Sequence, residues 1–117
     1  MKPGAAVMIG GAAGTLARAG LAEALPVDRF PWATLAANLA GTVLLAWIVF
    51  AGRRGLWRPL VGTGFCGALT TFSTFQVQLV ELAEDGHGGT AALYLAVSLA
   101  GGLAAVTVVR RFAERDE

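Results

Sequence analysis

Four apolar stretches, at about residues 4–24, 32–51, 59–83 and 90–109, divide this chain. Each is close to the ~20 residues an α-helix needs to cross a bilayer. The connections are short and carry turn and breaker residues: Pro26 and Pro31, Gly52 ahead of Pro59, and the run Gly86–Gly89. Hydrocarbon offers no water to unpaired backbone groups, so segments of this length cross as helices. Short connections then bring the helices together as a compact bundle. The expected fold is an all-α membrane protein, with residues 1–117 forming a single domain of four transmembrane helices.

Composition agrees: 15% of the residues are charged, against about a quarter in soluble domains. The first stretch does not read as a secretory signal, because only Lys2 precedes it, its apolar run is too long, and three similar stretches follow. A net charge of +1 without a basic stripe of interleaved aromatics argues against nucleic acid as a partner. Cys66 is the only cysteine, which excludes intrachain disulfides and cysteine metal sites. The single histidine, His87, sits with Glu84 and Asp85 in a predicted loop and reads as a solvated side chain. No nucleophile–base–acid triad can be assembled, so no enzymatic activity is expected.

The third stretch is unlike the others. From Gly64 it reads GFCGALTTFSTF, with the hydroxyls of Thr70, Thr71, Ser73 and Thr74 side by side in an apolar setting. Gly62, Gly64 and Gly67 precede them and loosen the hold of helical geometry. A hydrophobic segment broken by glycines and hydroxyls points to an ion site, since irregular backbone at membrane depth persists only beside protein or a wet cavity. A plain helix with back-bonded hydroxyls and glycines for close packing is the alternative.

Other polar residues lie inside the remaining stretches. Asn38 stands among alanines and glycine, and a buried amide there needs partners or a pore. Arg18 follows the GxxxG pair Gly10 and Gly14, and it either serves a function, snorkels to the interface, or pairs with Glu23. Tyr94 and Ser98 share one helix face at i, i+4 spacing. Trp32, Trp47 and Trp57 suit interface anchoring.

GFCGALTTFSTF resembles the third-helix motif of the Fluc fluoride channels, also known as CrcB proteins. GGAAGTLAR resembles the family's first-helix pattern of glycines followed by an arginine, although Ala19 and Gly20 stand where an aromatic is usual. Thr34, Leu35, Asn38 and Gly41 match its second-helix TLxxNxxG. The resemblance implies a channel that passively exports fluoride from the cytoplasm and limits its toxicity. It implies that Asn38, Phe72, Phe75, Thr71, Ser73, Thr74, Tyr94 and Ser98 line the pore, with Arg18 in a vestibule. It further implies a third helix broken near its middle and a structural, untransported sodium ion held by the Gly67 and Thr70 carbonyls at the centre of an antiparallel dimer.

Neutral donors suit such a path, because fixed cations would hold the anion too tightly for conduction. Amides and hydroxyls donate without full charge, and aromatic rings present positive edges. Lys2, Arg53, Arg54, Arg58, Arg110, Arg111 and Arg115 gather on one side of a four-span topology, against Arg29 on the other, which puts both termini in the cytoplasm. So strong a bias favours one orientation in the cell membrane and pairing with an oppositely oriented homologue; an antiparallel homodimer is the alternative. A small four-helix transporter of other specificity, such as a proton-coupled exporter of cationic drugs, is a further alternative. Such an exporter would need a membrane-embedded carboxylate, whereas every Asp and Glu falls in a loop, tail or helix end. A structural membrane subunit would leave the hydroxyl-rich break unexplained.

Overall fold

A computed structural model describes residues 1–115, with no strand among the described residues. Helix α1 spans Pro3–Ala24 and α2 spans Trp32–Phe50. Pro3 opens α1 in the first turn, where its missing N–H is no loss. Between the two helices the Phe30 N–H donates to Asp28 Oδ1 at 3.0 Å, a local turn that redirects the chain. Helix α2 ends on Gly52 at φ +68°, with Gly52 N–H donating to Val49 O and Arg53 N–H to Ile48 O. This paired closure needs a left-handed residue, which glycine supplies at least cost.

The third span departs from a simple helix twice. Arg58–Cys66 is wound as a π-helix, and the α-helical turn Gly67–Leu69 continues it; together they form α3. Pro59 removes one backbone donor there, and Gly62 and Gly64 hold a regular ladder weakly. The chain then extends through Thr70 and Thr71 before α4, Phe72–Glu84. Neither α3 nor α4 is long enough to cross a bilayer alone, whereas α1, α2 and the last helix are long and apolar enough.

That last helix, α5, covers Gly88–Arg115. It outlasts its apolar stretch because Arg and Glu are good helix formers, and Arg110 Nε meets Glu114 Oε1 at 3.0 Å, one turn on.

Small residues set the packing. A Cβ on Gly10 would overlap the Leu60 carbonyl, and one on Gly14 would overlap that of Phe65. Helix α1 therefore lies directly against the backbone of α3, the contact that GxxxG faces permit. Helices α2 and α4 both pack on α5. Where they meet, Tyr94 is fully buried, with the Phe75 ring 4.9 Å and the Phe30 ring 5.5 Å away, both edge-on. Leu16, Leu99 and Leu103 instead point outward and are more than half exposed. An outer surface this apolar fits a multi-pass membrane protein.

Candidate functional site

The break between α3 and α4 is made by two residues. Thr70 (φ −83°, ψ 152°) and Thr71 (φ −149°, ψ 122°) are both extended. Thr70 stays tied to the helix behind it: its N–H and its Oγ1 both donate to the Cys66 carbonyl, at 3.0 and 2.8 Å. Thr71 instead turns to α2. Its N–H donates to Asn38 Oδ1 at 2.8 Å, and Asn38 Nδ2 donates back to the Thr71 carbonyl at 3.1 Å. Thr71 Oγ1 also caps α4 by accepting from the Thr74 N–H at 3.2 Å. Asn38 is braced in turn, since its carbonyl accepts from Thr42 Oγ1 at 2.7 Å.

These bonds have a consequence for the carbonyls behind the break. In a continuous helix the Thr71 N–H would serve Gly67 O, and the Thr74 N–H would serve Thr70 O. Both amides are committed elsewhere, so the Gly67 and Thr70 carbonyls lose their helical donors. Gly67 is exposed, and a Cβ there would meet nothing within 4 Å. Oxygen ligands at the negative end of a short helix suit a hard cation, so these two residues fit the sodium expectation in donor type.

Two cavities flank the Asn38–Thr71 clasp. One, of ≈540 Å³, is bordered by Asn38, Thr42, Thr63, Thr70, Thr71 and Phe72. The other, of ≈490 Å³, is bordered by Arg18, Thr34, Thr71, Thr74 and Gln78 among others. Thr71 borders both. The Asn38 amide spends one of its two N–H groups on Thr71 and has a second for whatever occupies the first cavity. Arg18 has no carboxylate partner among the described residues, Glu23 included, and its cavity reaches the same break from the other side.

A model of the family described as "CrcB-like protein, Camphor Resistance (CrcB)" matches residues 5–109. The chain belongs to the CrcB family. It is 48% identical over 109 residues to a protein named fluoride-specific ion channel FluC 1 from Mycobacterium bovis, covering 87% of this chain and 83% of that one. It is also 48% identical over 108 residues to fluoride-specific ion channel FluC 2 from Geobacillus kaustophilus, covering 86% and 84%. A FluC 2 from Listeria innocua is 43% identical over 114 residues, covering 93% and 88%.

The remaining expected site residues of this CrcB chain divide into two groups. Phe72 and Phe75 stack at 6.2 Å between ring centroids, yet Phe72 is 70% exposed and Phe75 only 8%. Tyr94 is enclosed, and its hydroxyl donates to Gln78 Oε1 at 2.9 Å. Ser98 has a buried Oγ without a hydrogen-bond partner among the described residues. Ser73 is exposed and borders neither cavity. Gln78 in the Arg18 cavity, and Thr42 and Thr63 in the other, escape the sequence reading, while Thr34 enters it only as a motif match and not as a site residue. An amide or hydroxyl one helical turn from a recognised polar residue would have flagged two of them: Gln78 after Thr74, and Thr42 after Asn38.

Proposed function

We propose that this chain forms a fluoride-specific channel that lets the anion leave the cytoplasm down its gradient and so limits its toxicity. The carrying observation is the clasp of Asn38 on the Thr71 backbone, which holds a polar break open inside a chain whose relatives are named fluoride-specific channels. Arg18 attracts the anion into its cavity, and the hydroxyls of Thr71 and Thr74 take over part of its hydration. Beyond the break the second Asn38 N–H, the N-terminal end of α4 and the Phe72 ring edge favour negative charge without a full positive one. Ser98, with its unpartnered Oγ, extends that neutral lining along α5, and Tyr94 backs it by holding Gln78. Binding then stays weak enough for release.

The functional unit in this reading is an antiparallel dimer. Two freed carbonyls per chain are too few for a cation shell, and a two-fold axis through Gly67 and Thr70 supplies the rest. The sodium bound there ties the two subunits together and is not transported. Phe72, exposed on one chain, gains a partner surface in the dimer. The Lys/Arg bias puts both termini in the cytoplasm and favours an oppositely oriented homologue as the second subunit, with the homodimer as the alternative.

Fluoride efflux from liposomes holding the purified chain, read with a fluoride electrode against a chloride control, tests the proposal. Selective efflux that Asn38→Ala abolishes is the expected result. Absence of selective efflux, both from this chain alone and with an oppositely oriented homologue, would overturn it.

A further inference from the structure

We propose that the groove between α2 and α5 binds one anionic phospholipid, with its phosphate on Arg53 and an acyl chain along the groove. The groove is wholly separate from the break, encloses ≈880 Å³, and is walled mainly by Leu39, Val43, Leu44 and Trp47 of α2 with Val109 and Phe112 of α5. At its inner end the helices touch: a Cβ on Gly101 would stand 3.1 Å from Leu39 Cδ2. Towards the arginine-bearing end the groove continues past Trp47 and Ala51 to Arg53, and Arg110 reaches the Phe50 ring at 6.0 Å. Leu39 to Ala51 is about 18 Å of helix, close to one leaflet of a ~30 Å hydrocarbon core.

The mouth is built for a phosphate. The Arg53 guanidinium lies 4.6 Å from the Trp47 ring centroid and 5.5 Å from that of Trp57, and the two indoles meet edge-on at 5.7 Å. The two indoles stand at 79° to each other, so the planar guanidinium can stack on one of them only, and its N–H groups not turned to the rings remain to grip a phosphate through paired hydrogen bonds. The backbone around it is fixed: Arg53 N–H donates to Ile48 O, and Arg58 Nε donates to Arg53 O, both at 3.0 Å. Among the described residues no acid lines the groove and no carboxylate pairs with Arg53. An arginine that merely snorkels beside interfacial tryptophans attracts anionic lipid by charge alone, as its neighbours Arg54 and Arg58 do. One that grips the phosphate makes the preference depend on Arg53 itself.

The probe is quenching of Trp47 and Trp57 fluorescence by chain-brominated lipid. The full-length chain, carrying Trp32→Phe to remove the distant fluorophore, is placed in phosphatidylcholine vesicles with graded brominated phosphatidylglycerol or brominated phosphatidylcholine. Phosphatidylglycerol should be preferred about fivefold. Arg53→Gln should bring that ratio to near one, while Arg54→Gln, with the same charge change, should largely keep it. Ala40→Phe, which fills the groove and leaves Arg53 intact, should weaken quenching by phosphatidylglycerol. Equal quenching by both lipids, equal loss in the two arginine variants, or quenching by neither because a second copy of the chain covers the groove would each overturn the proposal.

Discussion

Asn38 and Thr71 exchange two hydrogen bonds across the break, so one side chain serves both backbone groups of a residue that helical geometry has abandoned. Asn38→Ala leaves that N–H and C=O without partners in a part-buried setting, which costs about 1–3 kcal/mol. Thermal unfolding in detergent should register the loss, together with collapse of fluoride efflux. Asn38→Asp keeps the acceptor but sets an ionised carboxylate oxygen against the Thr71 carbonyl, so it should be no more stable than Asn38→Ala and should also conduct poorly. Equal stability of wild type and both variants would show that the clasp does not hold the break.

Much of this arrangement is legible from residue types alone. Four apolar stretches dictate a helical bundle, and an asparagine or a row of hydroxyls within them marks where water or an ion must be accommodated. Which hydroxyl does what is not legible. Thr70 and Thr71 are adjacent and chemically identical, yet one bonds back to Cys66 and the other caps α4 and faces Asn38. That difference arises from the two ψ angles at the break and from how closely α2 approaches it. The π-helical winding of Arg58–Cys66 is equally hidden, because proline and glycine weaken a ladder without specifying what replaces it. Hydropathy marks where the last apolar stretch ends but not where its helix ends, since α5 runs on through Arg110 and Arg111.

Thr71 also acts through its side chain. Thr71→Val keeps the shape and both backbone bonds to Asn38 but removes the oxygen that accepts from Thr74 N–H. Loss of such a cap costs about 1 kcal/mol, and Thr71→Ser should restore it. Amide exchange in the first turn of α4 should quicken about fivefold in the valine variant alone. Unchanged exchange would remove the cap from the account of how α4 is held.

Glycines at the α1–α3 contact and outside it should respond in opposite directions. Gly14→Ala places a methyl against the Phe65 carbonyl and forces the helices apart, at about 1–3 kcal/mol. Gly20→Ala meets nothing within 4 Å and gains helix propensity, raising stability by up to about 1 kcal/mol. Melting temperatures of the two variants in one detergent decide the matter. If both fell, or both rose, the close approach would not govern stability.

Phe72 and Phe75 stack on each other but belong to different environments, and substitution should separate their roles. Phe75 is a core residue against Tyr94 at 4.9 Å, so Phe75→Ala opens a cavity costing about 3–5 kcal/mol, with efflux lost alongside the fold. Phe72 is 70% exposed on the chain, and Phe72→Ile should shift its stability by less than about 1 kcal/mol. If the Phe72 ring edge helps carry the anion, efflux should nevertheless fall at least tenfold, because an aliphatic side chain has no positive rim. Pairing the efflux rate with a melt for each variant distinguishes the two effects. A Phe72→Ile protein that melts as wild type and still conducts fluoride at the wild-type rate would leave the exposed ring as packing surface only, and the neutral lining at the break would then rest on Asn38 and the hydroxyls.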